Sequence, residues 1–372
     1  VPRRLEIDRW LFGATVALCF IGAVMVFSAS AVTAREQFGH SSIFLVRQLV
    51  WLALGLGGMF LLMHMDYHRL REPAVVFTGM CAVLVLLVAV FLVDKSHATH
   101  RWIHWGPFRL QPSEFAKLSM IVYLAWFLDM KRRVSAGLEF NKHDFQNGIV
   151  PAVGPVLVMT GLVVAEPDFG TSLEILLIAV AVLYVAGLSW EWLAAGTAAA
   201  LPVMFLLVTR VAYRQERVLG FLNPEADPQG RGFQLLQSLI AVGSGGFTGV
   251  GLMESKQKLF YLPEAHTDFI YAVLCEELGF IGAVFVLALF AVYGWRGMRA
   301  AFGAPDRFGR LLALGITTMV ISQALINFAV VLGMMPTKGI PLPFVSYGGS
   351  SLLVMLLGTG VLLNISQQAT ED

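Results

Sequence analysis

Apolar residues in this chain gather into long runs separated by short polar intervals. A helix crosses a bilayer with about 20 mostly apolar residues. Runs near that length occur at Trp10–Val32, Ile43–Met65, Ala74–Val93, Phe115–Met130, Ile149–Ala165, Thr171–Leu188, Trp190–Val208, Phe269–Trp295, Leu311–Met335 and Val345–Ile365. The fourth and fifth are short and lengthen if they begin at Pro112 and Phe145. The pattern predicts an all-α integral membrane protein: ten transmembrane helices in a single polytopic domain over residues 1–372, with a large extracytoplasmic loop, 211–267, between helices 7 and 8. The first run follows Arg3 and Arg4 and contains Ala29-Ser30-Ala31, which looks like a cleavage site. Its apolar stretch exceeds the roughly 7–15 residues of a signal-peptide core, so a retained helix is expected.

The basic residues orient the bundle. Arg3, Arg4, Arg9, Arg69, Arg71, Lys131, Arg132, Arg133, Lys142, Arg296, Arg299, Arg307 and Arg310 fall on one side. The short segments of the other side hold only Arg35, Arg47, Lys95, Arg101, Arg109 and Lys338. The positive-inside rule therefore predicts both termini in the cytoplasm, with the long loop outside.

Composition agrees with a lipid environment. Hydrophobic residues make up 57% and charged residues 14%, with a mean hydropathy of +0.72. A soluble domain carries about 25% charged residues. The formal net charge of +1 gives no basic field for nucleic acid. Cys19, Cys81 and Cys275 sit inside apolar runs without a C-x-x-C, so neither disulfides nor a zinc site is expected.

The long loop has its own organisation. Asn223–Pro228 is turn chemistry. Phe233, Leu236, Leu239 and Ile240 share a helical face opposite Gln234, Gln237 and Ser238, which predicts a short helix lying in the membrane interface. Gly243, Gly245, Gly246, Gly249 and Gly251 follow without a Walker lysine, so they are read as tight turns.

Ionisable groups at membrane depth are costly and tend to be paired or functional. Glu114 and Lys117, three apart on the fourth span, either neutralise one another or line a polar cavity. In Glu166-Pro167-Asp168-Phe169-Gly170-Thr171, proline and glycine make a turn and Thr171 is a candidate cap. Glu174 carries no assigned role. Asp268 opens the eighth span, where it is either an N-cap or a catalytic base; spacing alone favours the cap. His266, Glu264, Lys256 and Lys258 converge on the same outer mouth, with His266 read as a hydrogen-bonding partner rather than a base. Glu276 and Glu277 lie two turns further in. The last outer loop, Pro336–Ser350, is stiffened by three prolines and loosened by Gly348-Gly349; it holds Lys338 and Ser346 as candidate substrate contacts. A solvated loop lysine is the plain alternative for Lys338.

These words, in this order and spacing, resemble the SEDS family of bacterial cell-wall polymerases (shape, elongation, division and sporulation). The resemblance rests on Arg101–Ile103 with Gln111–Leu118, Pro167–Thr171, Leu262–Ile270 and Pro341–Ser351, and runs from the first span to the tenth. The runs Gln234–Gly246 and Ser255–Glu264 favour the family's division branch over its elongation branch. Glu166 stands where glutamine is common, and Phe169 where leucine is common.

The resemblance implies a peptidoglycan glycosyltransferase that polymerises lipid II, a class B penicillin-binding protein as transpeptidase partner, and other division proteins around it. It places the proposed catalytic residue on Asp268 and gives Arg101 and Lys338 functional weight. Lipid II carries a disaccharide-peptide on a pyrophosphate-linked polyprenyl tail. Its pyrophosphate calls for outward cations, for which Arg101, Lys338, Arg210 and Arg214 are candidates. A divalent cation, Mg or Mn, would assist the leaving group, although no dedicated ligand cluster is visible. Two other classes fit the same polar groups: a transporter that flips lipid-linked precursors, and a non-catalytic scaffold for a transpeptidase.

Overall fold

A computed structural model describes residues 6–94, 100–106, 108–134 and 148–369. Arg3, Arg4, Lys95 and Lys142, used above for orientation, lie outside the described residues.

Each predicted run contains a helix: α1 (Arg9–Phe38), α2 (Ile43–His64), α3 (Pro73–Val93), α4 (Pro112–Val134), α5 (Val150–Ala165), α6 (Phe169–Val185), α7 (Trp190–Thr209), α10 (Ile270–Gly303), α11 (Arg307–Val331) and α12 (Gly349–Gln368). Helices α8 (Ala212–Leu222) and α9 (Phe233–Ser244) belong to the long loop. Among the described residues, α1, α2, α3, α10, α11 and α12 are long and apolar enough to cross a membrane; α5 and α6 are apolar but shorter. A two-stranded antiparallel hairpin, β1 (Ile103–Trp105) and β2 (Phe108–Leu110), joins α3 to α4 and was not foreseen.

The centre of the bundle is α11 and α12, whose most apolar windows are 78% buried, against 17% for α2. Small residues set the closest approach of α2 to α12. A Cβ on Gly360 would stand 2.6 Å from the carbonyl oxygen of Met59, and one on Gly55 would stand 2.5 Å from Leu356. Close helix contact through small residues is how membrane helices gain packing without a hydrophobic drive.

The glycine-rich segment is docked, not merely turned. Helix α10 breaks at Gly279, whose φ of 64° is open to glycine. Residues 246–251 enter that break: Val250 N donates to Glu276 O at 3.0 Å, and Phe280 N donates to Gly246 O at 2.9 Å. A Cβ on Gly279 would meet Gly249 N at 2.2 Å. The carboxylates of the break are served separately. Glu276 accepts from Ser255 Oγ and Lys256 N, whereas Glu277 accepts from Ser28 Oγ at 2.6 Å and Lys258 Nζ at 2.8 Å.

Two details differ from the sequence pattern. The inward stripe of α9 is Leu235, Ser238 and Ala241, with Leu239 and Ile240 exposed. Ser238 is buried because its hydroxyl donates to Val331 O at 2.8 Å, a partner that helical periodicity cannot reveal. The last helix starts at Gly349, four residues later than the apolar run, because Ile340, Leu342, Phe344 and Val345 are buried as irregular chain. Irregular backbone at this depth is tolerated where protein covers it.

Candidate active site

The polar ends of several elements enclose one cavity of about 230 Å³. Arg101 comes from the approach to β1, Asp168 and Phe169 from the α5–α6 turn, Arg214 and Arg217 from α8, and Thr337, Lys338 and Gly339 from the segment after α11. A more open basin of about 410 Å³ adjoins it, lined by Glu216, Arg217, Asp227, Gly230, Arg231, Gln234 and Thr337. The two share Arg217 and Thr337.

Local chemistry explains the wall. Asp168 caps α6: its carboxylate accepts from Thr171 N at 3.2 Å, from Thr171 Oγ1 at 2.8 Å and from Gln111 Nε2 at 2.8 Å. The cap is therefore Asp168 rather than Thr171, which is the donor. Arg101 donates to the carbonyls of Glu166 and Pro167 and so locks the turn. The Arg214 guanidinium lies 5.3 Å and the Lys338 ammonium 5.5 Å from the centre of the Phe169 ring, within cation–π range. Arg217 Nη1 donates to Thr337 O at 3.1 Å, tying α8 to the Lys338 segment. Burial holds the Lys338 ammonium below its ordinary pKa.

Asp268 stands at the edge of this cavity. Its carboxylate faces Gly339, where a Cβ would stand 3.1 Å from Oδ2. It does not cap α10: Phe269 occupies the N-cap position and no side chain caps the helix. Thr267 Oγ1 is engaged with Glu264 Oε2 at 2.8 Å. The cap alternative for Asp268 thus falls, because the helix starts two residues after it. Burial pushes the Asp268 carboxyl up to about 7, and Glu264 and Asp168 add to that, while Arg217 and Arg101 oppose it. The contest between burial and neighbouring cations goes to burial, and the cations concerned are arginines.

Several candidate contacts lie elsewhere. Lys117 is fully buried, with Nζ 3.0 Å from Glu114 Oε2, 3.1 Å from Glu174 Oε2 and 2.7 Å from Gln323 Oε1. The pair neutralises itself with help from Glu174, and Glu114 and Lys117 line neither cavity. Lys258 is committed to Glu277 and Ser28, and Lys256 is exposed beside the α10 break. The His266 ring packs 4.9 Å from Phe44 and 5.8 Å from Tyr347, where burial lowers its pKa. Ser346 is a latch, with Oγ donating to Thr267 O at 2.6 Å and accepting from Leu342 N. Arg210 is exposed at the end of α7, outside both cavities. Conversely, Arg217 joins Arg214 in the wall although it was not singled out. The signal was available, because residues three apart on a helix share a face.

Among the described residues, no group of three or more His, Cys, Asp or Glu is placed to hold a metal ion. The cavity's one lining carboxylate, Asp168, is already engaged by Thr171 and Gln111.

Glu166 is buried with neither carboxylate oxygen hydrogen-bonded, and burial first, then Asp168, push it up to about 8. The native state therefore holds this proton more tightly than the unfolded chain does. Stability linked to it is full below about 4.5 and declines as pH rises towards 8. Glu166→Gln is expected to leave the melting temperature unchanged near pH 4.5 and to raise it at pH 8–9; equal shifts at both pH values would refute the linkage.

The sequence model of FtsW, RodA and SpoVE, described as "Cell cycle protein", matches residues 9–371. The chain belongs to this family. A probable peptidoglycan glycosyltransferase FtsW of Trichlorobacter lovleyi is a family relative, 43% identical over 371 residues, covering 98% of this chain and 94% of the relative. Stage V sporulation protein E of Bacillus subtilis is 44% identical over 354 residues, covering 95% of each chain. Among solved structures, a chain from work on "polymerization and crosslinking by a peptidoglycan synthase complex" aligns with TM-score 0.79 and 33% identity, over 99% of this chain and all of that one. The rod shape determining protein RodA of Thermus thermophilus aligns with TM-score 0.71 and 29% identity over 99% of both chains. The family resemblance read from the motifs is thereby confirmed, as is an all-α membrane protein of many apolar helices.

Proposed function

We propose that this protein is a peptidoglycan glycosyltransferase that polymerises lipid II at the outer face of the cytoplasmic membrane, in septal synthesis during cell division. The observation that carries the reading is the juxtaposition of Asp268, pushed up to about 7, with a cavity walled by Arg101, Arg214, Arg217 and Lys338. A carboxylate tuned near neutrality suits a general base, and clustered cations suit a departing diphosphate. The names of the FtsW relatives support the activity, and the synthase-complex neighbour supports a penicillin-binding transpeptidase as partner.

In the transfer step, the 4-hydroxyl of the acceptor sugar gives its proton to Asp268. Its oxygen bonds to the donor's anomeric carbon as the bond from that carbon to the diphosphate oxygen breaks. The leaving lipid diphosphate takes the electron pair, and the four cations stabilise its charge. The polyprenyl tail lies against apolar helix surface, and the disaccharide-peptide extends from the cavity over the adjoining basin.

Purified protein with its transpeptidase partner and lipid II should yield glycan strands on a polymerisation gel. Movement of lipid II across vesicles without any polymer would favour the flippase reading instead. Lys338→Ala removes a charge-assisted contact worth roughly 1.5–3 kcal/mol, so kcat/KM should fall roughly 10- to 150-fold. Wild-type kcat/KM from a folded Lys338→Ala protein would return this residue to a solvated loop lysine.

The reading includes ten spans with both termini in the cytoplasm. Cysteine placed at Glu225 should react with an impermeant thiol reagent in intact cells, and cysteine at Arg307 should react only after lysis. The reverse pattern would overturn the orientation.

A further inference from the structure

Two amides on α11, Gln323 and Asn327, lie one turn apart on one face and reach the same stretch of backbone. Gln323 Nε2 donates to Pro341 O at 2.8 Å. Asn327 Nδ2 donates both to Ile340 O and to Asp268 O, each at 2.8 Å. Both side chains are buried. The amides are locked in orientation. Gln323 Oε1 accepts from Lys117 Nζ at 2.7 Å, so a flip would set its NH₂ against an ammonium. A flip of Asn327 would set its oxygen against two carbonyl oxygens; its Oδ1 stays without a partner while both N–H groups are used.

Asn327 thus holds both halves of the candidate site with one amide. One N–H fixes the peptide of Asp268, and the other fixes the residue two beyond Lys338. The Lys338 segment has further tethers: Gln323 to Pro341 O, Gln48 Nε2 to Ser346 O at 3.1 Å, and Ser346 Oγ to Thr267 O. None of these reaches the Asp268 carbonyl itself. The Asp268 side chain caps no helix, so its peptide, held by Asn327, is a direct structural hold on where the carboxylate points.

We propose that Asn327 is a positioning residue for glycosyl transfer, aiming the Asp268 carboxylate at the acceptor hydroxyl by clamping Asp268 to the Lys338 segment. The inference rests on the function proposed above. A small displacement of a reacting group can cost on the order of 100-fold in rate. Substrate affinity should change little, because the Lys338 segment keeps its tethers through Gln323, Gln48 and Ser346.

Asn327→Leu keeps the branched outline of the side chain and Asn327→Ala shortens it; both remove the paired donors without adding a charge. Each is compared with the parent and with Asp268→Asn for kcat, apparent KM for lipid II, and the pH dependence of kcat. We expect kcat to fall about 10- to 100-fold and KM to stay within about threefold. The acid limb of the pH profile should move to lower pH, since a loosened Asp268 gains water. The charged groups that set this limb with burial are Glu264, Asp168, Arg217 and Arg101, none of which is altered. A parental rate, or a lost rate with an unmoved acid limb, would overturn the positioning role and leave Asn327 a structural amide. No polymer from the parent, or normal polymer from Asp268→Asn, would instead overturn the proposed function and the base on which this inference depends.

Discussion

Asp268→Asn should make no detectable glycan polymer from lipid II while remaining folded and bound to its transpeptidase partner. The side chain caps no helix, and its backbone carbonyl, which Asn327 holds, is untouched by the substitution. An amide cannot take the acceptor's proton, and loss of a general base costs on the order of 10²–10⁴ in rate. Stability should fall little, and at pH above about 7 should rise slightly, because the native carboxyl resists ionisation there. In the parent, the rate should climb as pH passes through about 7, where the base becomes available. Polymer at parental rate from Asp268→Asn would exclude this residue as the base. Should stability and polymer both be lost, Asp268→Glu separates the causes, since it keeps the carboxylate and moves it by one methylene.

Lys117→Met should be the most damaging single change to the fold. It removes the one ammonium between Glu114 and Glu174 and leaves two carboxylates in the packed interior of α4 and α6. Breaking a buried ion pair from one side costs about 3–5 kcal/mol, because the remaining charge is uncompensated. The expected result is a large drop in melting temperature in detergent and in the yield of monodisperse protein. Combining it with Glu114→Gln and Glu174→Gln should restore most of the loss, since no charge is then left to desolvate. A Lys117→Met protein as stable as the parent would show that water or a rearranged neighbour serves those carboxylates. The triple variant also tests the path to the site, because Gln323 loses the ammonium that orients its amide. Its polymerisation rate should therefore stay low even where stability returns.

Part of the site was legible in the chain. Arg101, Arg214, Lys338 and Asp268 follow from their motifs and from the rule that charge at an apolar boundary needs a reason, and all four meet at one cavity or its edge. Lys258 and Ser346, candidate contacts by sequence, line neither cavity, and of the two readings of Glu114 and Lys117 the self-neutralising pair is the one that packing produces. Polarity announces that a buried group has a partner without saying which one. Lys258 finds Glu277 19 residues on, and Lys117 finds Glu174 57 residues on. Asn327 was passed over for the converse reason, because a lone amide in an apolar helix carries no charge to account for.

The apolar runs by themselves determined the helices and the lipid setting. Backbone groups in a bilayer must be satisfied within their own segment, so run length maps directly onto helix. Motif spacing likewise supplied the family from local sequence alone. Only the tertiary structure decided that the glycine-rich segment docks in the α10 break, that Asp168 rather than Thr171 caps α6, and that Asp268 caps nothing. It also decided which cations face the cavity and which are consumed in ion pairs. Those outcomes depend on distances between residues far apart in the chain, and a buried charge or amide takes its role from whichever group packing brings within about 3 Å.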